Sequence, residues 1–385
     1  MQTNTETKKH VPVSQPVLGE LESEYVNKAL RDNAISGFYG EYLSKFENGF
    51  AEYCGCKYGV TTTSGTTALH LAMLSLSIGA GDEVLVSSLT NMATFFAVLY
   101  TGAKPIPVDI EKDTLNIDPK LIEEKITEQT KAILVVHLFG HPVDMDPVTE
   151  IARRHNLFLV EDCAQAHGAE YKGKKVGSFG DIGCFSFYAN KILTTGEGGM
   201  IITNNSAYAE KAAVLKSLAF GVKNKFMHQD IGYNYRMTNL QAALGCAQLE
   251  RIENIIDNKR KVAQFYSEKF ADNPYLQLPV EKDYAKNVYW MYHVVLKGIL
   301  KGKREIVMNH LTECRIETRE GFIPYNMQNV FIEKGFVQFD ECPAANDVAY
   351  SGFYLPSGPN LSGEDLEYVA ENFLDVINSL TNSYT

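Results

Sequence analysis

The rhythm of apolar and polar residues changes several times along the chain, and the changes mark its elements. Over 66–78, Leu69, Ala72, Met73 and Leu76 recur at helical spacing and predict a helix. The stretches 83–87 (EVLVS), 132–138 (AILVVHL) and 157–161 (LFLVE) are instead short unbroken apolar runs, which read as buried strands. Residues 105–110 read as extended, and 184–187 and 200–203 add two more strands. Between them helices are predicted over 20–32, 40–53, 90–100, 119–126 and 147–155. Asp118 is placed as the cap before Pro119, and Asp146 as the cap before Pro147. Strands that do not alternate, separated by helices, predict an α/β fold. Its central sheet is mainly parallel and covered by helices on both faces. Ligands in such sheets sit beyond the carboxyl ends of the strands. That rule selects 64–66, 90–92, His137, 162–165 and 186–191.

The flanks have a different character. Residues 1–20 are polar, and Pro12 and Pro16 disfavour helix, so they read as an extended arm. A large domain is expected over 21–254. A long helix from Thr238 through Gln248 towards Lys259 bridges out of it. Residues 255–385 then form a smaller C-terminal α/β domain. It carries Trp290 in the strand YWMYHVVL, a helix at 303–314 and a final helix at 364–380. There is no internal repeat.

Composition narrows the function classes. The 385 residues are 45% hydrophobic and 22% charged, an ordinary globular balance. The net charge of −11 argues against a nucleic-acid or anionic-membrane surface. An anionic small molecule is still compatible, because backbone donors and a few arginines can hold a phosphate inside an acidic protein. No run approaches 18 apolar residues and the amino terminus lacks an apolar signal core, so no membrane association is expected. Seven scattered cysteines suggest reduced thiols and a cytoplasmic protein. Cys54 and Cys56 have C-x-C spacing without a second pair or a nearby histidine, so no metal is expected.

The strongest chemical signal is VEDCAQAHGA at 160–169 followed by FSFYANKILTTGEGG at 185–199. Pyridoxal 5′-phosphate needs a lysine for its Schiff base, a carboxylate on its pyridine nitrogen, donors for its phosphate and cover for its ring. Asp162 ends a strand and suits the carboxylate. Lys191, 29 residues later, suits the Schiff base. Ser64-Gly65-Thr66 opens an amphipathic helix, whose free N–H groups and dipole favour an anion, and Ser186 can add a hydroxyl. Singly, each has a plainer explanation: a cap, a turn, a surface lysine. Together and in this order they point to the cofactor. A nucleotide-binding oxidoreductase would need G-x-G-x-x-G after the first strand, where this chain has S-G-T.

The combination SGTTALHLA, VEDCAQAHGA, GSFGDIGCFSFYANK, TTGEGGMI and GYNYRMTNLQAALGCAQLE resembles the sugar aminotransferases of the DegT/DnrJ/EryC/StrS family. The resemblance runs from about residue 12 to the C-terminus. It implies an aspartate-aminotransferase-like fold and a homodimer with shared active sites. It matches Lys191 to the Schiff-base lysine, Asp162 to the pyridine-nitrogen partner and Gln165 to the residue near the phenolic oxygen. Gly65, Thr66 and Ser186 match phosphate binders. Asn234 matches an asparagine that reaches the neighbouring subunit's phosphate. Arg236 is implied as a partner for the donor's carboxylate, and His167 as a contact to the substrate or behind it. One segment departs from the family. Ser87-Ser88-Leu89-Thr90-Asn91 lacks the usual proline and the aromatic that stacks on the cofactor. Phe95, Phe96 or Asn91 itself are the candidates to face the ring.

The implied activity is transamination of a keto-sugar, with L-glutamate as amino donor. Lys191 stands where the family's sugar 3-dehydratase has histidine, which argues against dehydration. The segment CFSFYANKILTTGEGG looks most like the perosamine-synthase branch, which aminates a nucleotide-linked 4-keto-6-deoxyhexose in surface polysaccharide biosynthesis. The segment 317–328 looks less like it and brings Arg315, Arg319 and Glu320 towards the expected sugar end. An acidic keto-sugar such as an 8-keto derivative of Kdo is the alternative, its carboxylate paired by arginine. A non-catalytic regulatory paralogue is the rival from another class, and intact Lys191, Asp162 and Ser186 argue against it.

Overall fold

The computed structural model describes residues 10–221, 223–228 and 230–382. Most of the predicted arm's first half therefore lies outside the described residues. The large sheet contains β1 (Tyr58–Thr62), β2 (Glu83–Ser87), β3 (Lys104–Val108), β4 (Thr130–Val136) and β5 (Phe158–Asp162). After a small hairpin, β6 (Glu170–Tyr171) and β7 (Lys174–Lys175), it is completed by β8 (Ile182–Ser186) and β9 (Gly199–Thr203). The order is β1-β9-β8-β5-β4-β2-β3. Pairings from β8 to β3 are parallel, and β9 runs antiparallel to both its neighbours. Val84, Leu85, Val86, Ile133, Leu134 and Val135 are all fully buried. Their unbroken runs reflect a sheet covered on both faces, with α3 (Gly65–Ser75) and α4 (Met92–Leu99) on one of them. The preceding helices are α1 (Glu20–Arg31) and α2 (Tyr42–Tyr53).

The structure differs from the sequence expectation where local patterns competed with packing. β1, YGVTT, carries too little apolar signal to be read as a strand. Its last three residues are buried, and there Thr61 and Thr62 hydrogen-bond inside the fold, Thr61 to Glu47 through both its N–H and its hydroxyl. The helix expected at 119–126 is two 3-10 turns, Pro119–Leu121 and Glu123–Lys125, although Asp118 does cap Lys120 N–H. Asp146 is not a cap. α5 spans Met145–His155, and the Asp146 carboxylate pairs with Lys172 instead. After α6 (Ser206–Leu215), the predicted long helix is two: α7 (Asn239–Glu250) and α8 (Ile252–Phe270). The break is at Arg251, whose guanidinium pairs with buried Glu22 of α1 at 2.9 Å.

α8 crosses the expected domain border. Its first turns place Ile252, Ile255 and Ile256 in one core, and Val262, Ala263, Tyr266 and Phe270 in a second core with Phe353 and Phe373. That second core lies beneath a sheet of β10 (Leu276–Gln277), β12 (Tyr292–Leu296), β14 (Gly352–Leu355) and β13 (Arg319–Glu320). β11 (Ala285–Lys286) pairs with β6. α9 (Arg304–Glu313) and α12 (Gly363–Asn382) pack on this lobe. The short helices α10 (Asn329–Glu333) and α11 (Pro343–Ala349) return to the large core. Among the described residues, no helix is long and apolar enough to cross a membrane.

Candidate active site

Asp162 ends β5, Ser186 ends β8 and Lys191 follows in the next turn, so all three lie at the carboxyl edge of the parallel strands. They line one cavity of about 220 Å3 together with Ser64, Gly65, Thr66, Asn91, Thr94, Gln165, Tyr188 and Glu197. Lys191 Nζ lies 3.9 Å from the centroid of the Trp290 ring. Burial pushes its amine down to about 8, while Asp162 acts in the opposite direction. At pH 7 about one such amine in ten is neutral, against roughly one in three thousand at the ordinary lysine value. Burial pushes the Asp162 carboxyl up. Hydrogen bonds from Ala164 N–H (3.0 Å) and the Thr94 hydroxyl (2.8 Å), and the Lys191 charge, favour its ionised form.

The anion end is built from α3. Ser64 and Thr67 form a reciprocal cap, with Thr67 N–H donating to Ser64 Oγ and Ser64 N–H to Thr67 Oγ1. The cap leaves the Gly65 and Thr66 N–H groups at the cavity, in the first turn where no intrahelical acceptor exists. A Cβ on Gly65 would come within 2.6 Å of Ser186 Cβ. The glycine therefore lets the helix start and the Ser186 hydroxyl converge on one place. Gln165 is oriented by its neighbour: its Oε1 accepts the Phe139 N–H at 2.8 Å, which turns its NH2 donors to other partners. A basic ring nitrogen at Asp162, an amine-reactive carbonyl at Lys191 and a phosphate at Gly65, Thr66 and Ser186 fit this donor set. Pyridoxal phosphate has all three features.

The ring-facing candidates resolve by packing. Phe95 is buried and stacks on Tyr325 at 4.0 Å, and Phe96 contacts Tyr100 and Phe331, so neither lines the cavity. Asn91 does line it, with its Oδ1 committed to the Ala93 N–H as the cap of α4. Tyr188 also lines it.

A second cavity of about 460 Å3 shares Asn91 and Tyr188 with the first. Its walls include Arg319, Glu320, Phe322 and Tyr354 of the C-terminal lobe, Trp290, and Val13, Ser14 and Pro16 of the arm. The arm is held there by a bridge from Val11 to Ile316 and by Val13 N–H on Glu317. Arg319 and Glu320 thus line this second cavity. Arg315 lines neither cavity.

His167 is set back from both cavities. It is fully buried against Phe50, Phe185 and Phe187, and lines neither cavity. Burial, reinforced by the Lys191 charge, holds its imidazole neutral, pushed down to about 3. His137, selected at a strand end, is also structural. Its Nδ1 accepts Val143 N–H and its Nε2 meets Glu161 at 3.1 Å. Glu161 in turn takes the N–H groups of Gly177, Phe179 and Gly180, fixing the loop that leads into β8. Asn234 and Arg236 stand apart from both cavities of their own chain. Asn234 is exposed, and the Arg236 guanidinium lies 4.8 Å from the Phe38 ring. Thr94, Tyr188, Glu197 and Trp290 are site-lining residues that sequence reasoning did not assign. Only Trp290 carried a signal, as the single tryptophan.

The chain is similar to known aminotransferases along nearly its whole length. The chain is 44% identical over 364 residues to the GDP-perosamine synthase of Escherichia coli O157:H7, covering 94% of this chain and 98% of that protein. Among solved structures it is similar to S. venezuelae DesV in complex with a ketimine intermediate, with a TM-score of 0.87 and 32% identity, covering 95% of this chain and 98% of that one. It is also similar to the PLP form of the putative sugar aminotransferase Spr1654 from Streptococcus pneumoniae, with a TM-score of 0.91 and 26% identity, covering 97% of this chain and 100% of that one. Over residues 16–374 the chain matches the DegT/DnrJ/EryC1/StrS aminotransferase family, and it belongs to that family.

Proposed function

We propose that the protein transfers an amino group, with pyridoxal phosphate as cofactor and L-glutamate as donor, to a nucleotide-linked 4-keto-6-deoxyhexose destined for a surface polysaccharide. The observation that carries this reading is the convergence of Lys191, Asp162, Ser186 and the α3 N-terminus on one cavity. When bound, pyridoxal phosphate supplies a carbonyl that exchanges amines and a ring that accepts electrons. Asp162 would hold the ring nitrogen, Gln165 the phenolic oxygen, and Gly65, Thr66 and Ser186 the phosphate. Lys191 Nζ takes a proton from the donor's α-carbon and, in the second half, delivers one to the sugar carbon that gains nitrogen. Its low pKa keeps a useful fraction of neutral amine near pH 7.

The second cavity is the place for the sugar and its nucleotide. Its Arg319 is paired with Glu317 at 2.9 Å and flanked by Glu320, so the segment carries no surplus positive charge for a substrate carboxylate. Together with the likeness to a GDP-perosamine synthase, this favours a nucleotide-linked sugar over an acidic one. A homodimer is part of the proposal. Phe226, Ile231 and Tyr39 are each more than 70% exposed around the segment that carries Asn234 and Arg236. A second copy would cover them and receive Asn234 at its phosphate. The division into an arm over 1–20, a large domain over 21–254 and a small domain over 255–385 is proposed with it.

The test is direct. Purified protein loaded with pyridoxal phosphate should be coloured, glutamate should bleach the band, and a GDP- or dTDP-linked 4-keto-6-deoxyhexose should restore it. Restoration by an acidic keto-sugar alone would overturn the substrate assignment. Multiple turnovers by Lys191→Ala would overturn the mechanism.

A further inference from the structure

Two contacts from one indole converge on Lys191. The ring face of Trp290 lies 3.9 Å from Lys191 Nζ. Its Nε1–H donates to the carbonyl of Asn190, the residue just before the lysine, at 2.8 Å. The hydrogen bond holds the ring in place against the backbone next to the lysine. Trp290 is 5% exposed, with the Tyr354 ring 6.3 Å away in an edge-on arrangement.

The approach of this tryptophan is itself built in. It stands two residues before β12 of the C-terminal lobe and must cross onto the large domain to reach the lysine. The crossing passes over Gly140. A Cβ there would come within 2.9 Å of Tyr289 N and 3.0 Å of Trp290 N, and φ is +102°. Val288 N–H donates to the Gly140 carbonyl at the same crossing. The C-terminal lobe is thereby docked with the Trp290 ring on the lysine amine.

We infer that Trp290 is a positioning residue that receives the Lys191 ammonium on its ring face whenever the amine is released from the cofactor. This deepens the functional reading above and rests on it. The free amine must alternate between taking and giving a proton at one place. Asp162 supplies the facing negative charge, and Glu197 lines the same cavity. Burial disfavours the ammonium, buried His167 offers it no counter-charge, and Lys259 adjoins a small cavity behind Lys191. An electron-rich ring face against a desolvated cation offsets part of that cost without fixing the proton, as a second carboxylate would.

Trp290 is the only tryptophan in the chain, so global replacement of tryptophan changes this position alone. Fluorine withdraws charge from the ring face with little change of shape, which keeps folding out of the comparison. The experiment uses the full-length protein loaded with pyridoxamine phosphate, in which the lysine amine is free. With 5-fluorotryptophan a single 19F line should titrate with pH, and the inflection should vanish in Lys191→Ala. With more heavily fluorinated tryptophan the inflection should move to lower pH, by up to about one unit as the ring attraction is removed. A line that does not titrate, or an inflection unmoved across the fluorine series, overturns the inference. The functional reading is checked separately by borohydride trapping of the pyridoxal phosphate form. A pyridoxyl label on Lys191 with a flat fluorine series sinks only the role of Trp290, whereas a label elsewhere sinks the reading beneath it.

Discussion

Replacing Gly65 by alanine probes the phosphate cradle at its tightest point. The added Cβ would meet Ser186 Cβ at 2.6 Å, Ser186 Cα at 3.2 Å and Ser186 Oγ at 3.2 Å. Ordinary contact begins near 3.4 Å, so the start of α3 and the end of β8 must part by about 0.8 Å. Overpacking of this kind costs about 1–3 kcal/mol. The larger effect is on the ligand. An anion shared by the α3 N–H groups and the Ser186 hydroxyl can no longer be reached well by both. Losing one hydrogen bond to a charged group costs about 1.5–3 kcal/mol, or roughly 10- to 150-fold in cofactor affinity. Equilibrium dialysis or the absorbance of the bound cofactor measures it, with thermal unfolding alongside to report the fold. Ser186→Gly added to Gly65→Ala removes the opposing Cβ and should recover stability but not affinity. The single Ser186→Ala variant should lose affinity without the packing cost. A Gly65→Ala protein that binds pyridoxal phosphate within about threefold of the parent would refute the cradle reasoning.

Other outcomes follow from the same geometry. Thr94→Val removes a donor to the Asp162 carboxylate and should move the acid limb of the pH–rate profile upward by about one unit, while Thr94→Ser restores it. The sign is fixed because the ionised carboxylate is the form that loses its partner. If Asn234 serves the neighbouring subunit, mixing inactive Lys191→Ala with Asn234→Ala protein should regenerate about a quarter of the activity through hybrid dimers with one intact site. No recovery after verified subunit exchange counts against shared sites. Buried Lys259, whose Nζ donates to the Ser357 carbonyl, has its amine pushed down to about 7. The folded state thus binds fewer protons than the unfolded one between about pH 7 and 10.5, so this lysine makes stability rise with pH there, by at most about 1.4 kcal/mol per unit. Denaturant titrations should show that Lys259→Met removes this part of the slope.

The site divides between what chain order discloses and what packing discloses. Asp162, Ser186 and Lys191 were legible because each lies at or just after the end of a strand, and strand ends follow from apolar runs. Gly65 and Thr66 were legible because the start of a helix is an anion site by construction. Thr94 was not, since its role is a hydrogen bond across 68 positions to Asp162. Nor was the fate of His167. Its neighbour Gln165 turns into the cavity, while His167 enters an aromatic pocket made by Phe50 of α2 and two residues near the end of β8.

The sequence alone determined the layered α/β fold and the lysine–carboxylate pair, because both rest on local periodicity and on residue types at strand ends. It also fixed the family, through motifs that stand in one order. The edge strand β1 and the break at Arg251 had to wait for the tertiary structure, since long-range hydrogen bonds and an ion pair overrode weak local preference. So did the identity of what faces the reacting amine. Trp290 lies 99 residues beyond Lys191, and only the docking of the C-terminal lobe across Gly140 puts an indole against that nitrogen.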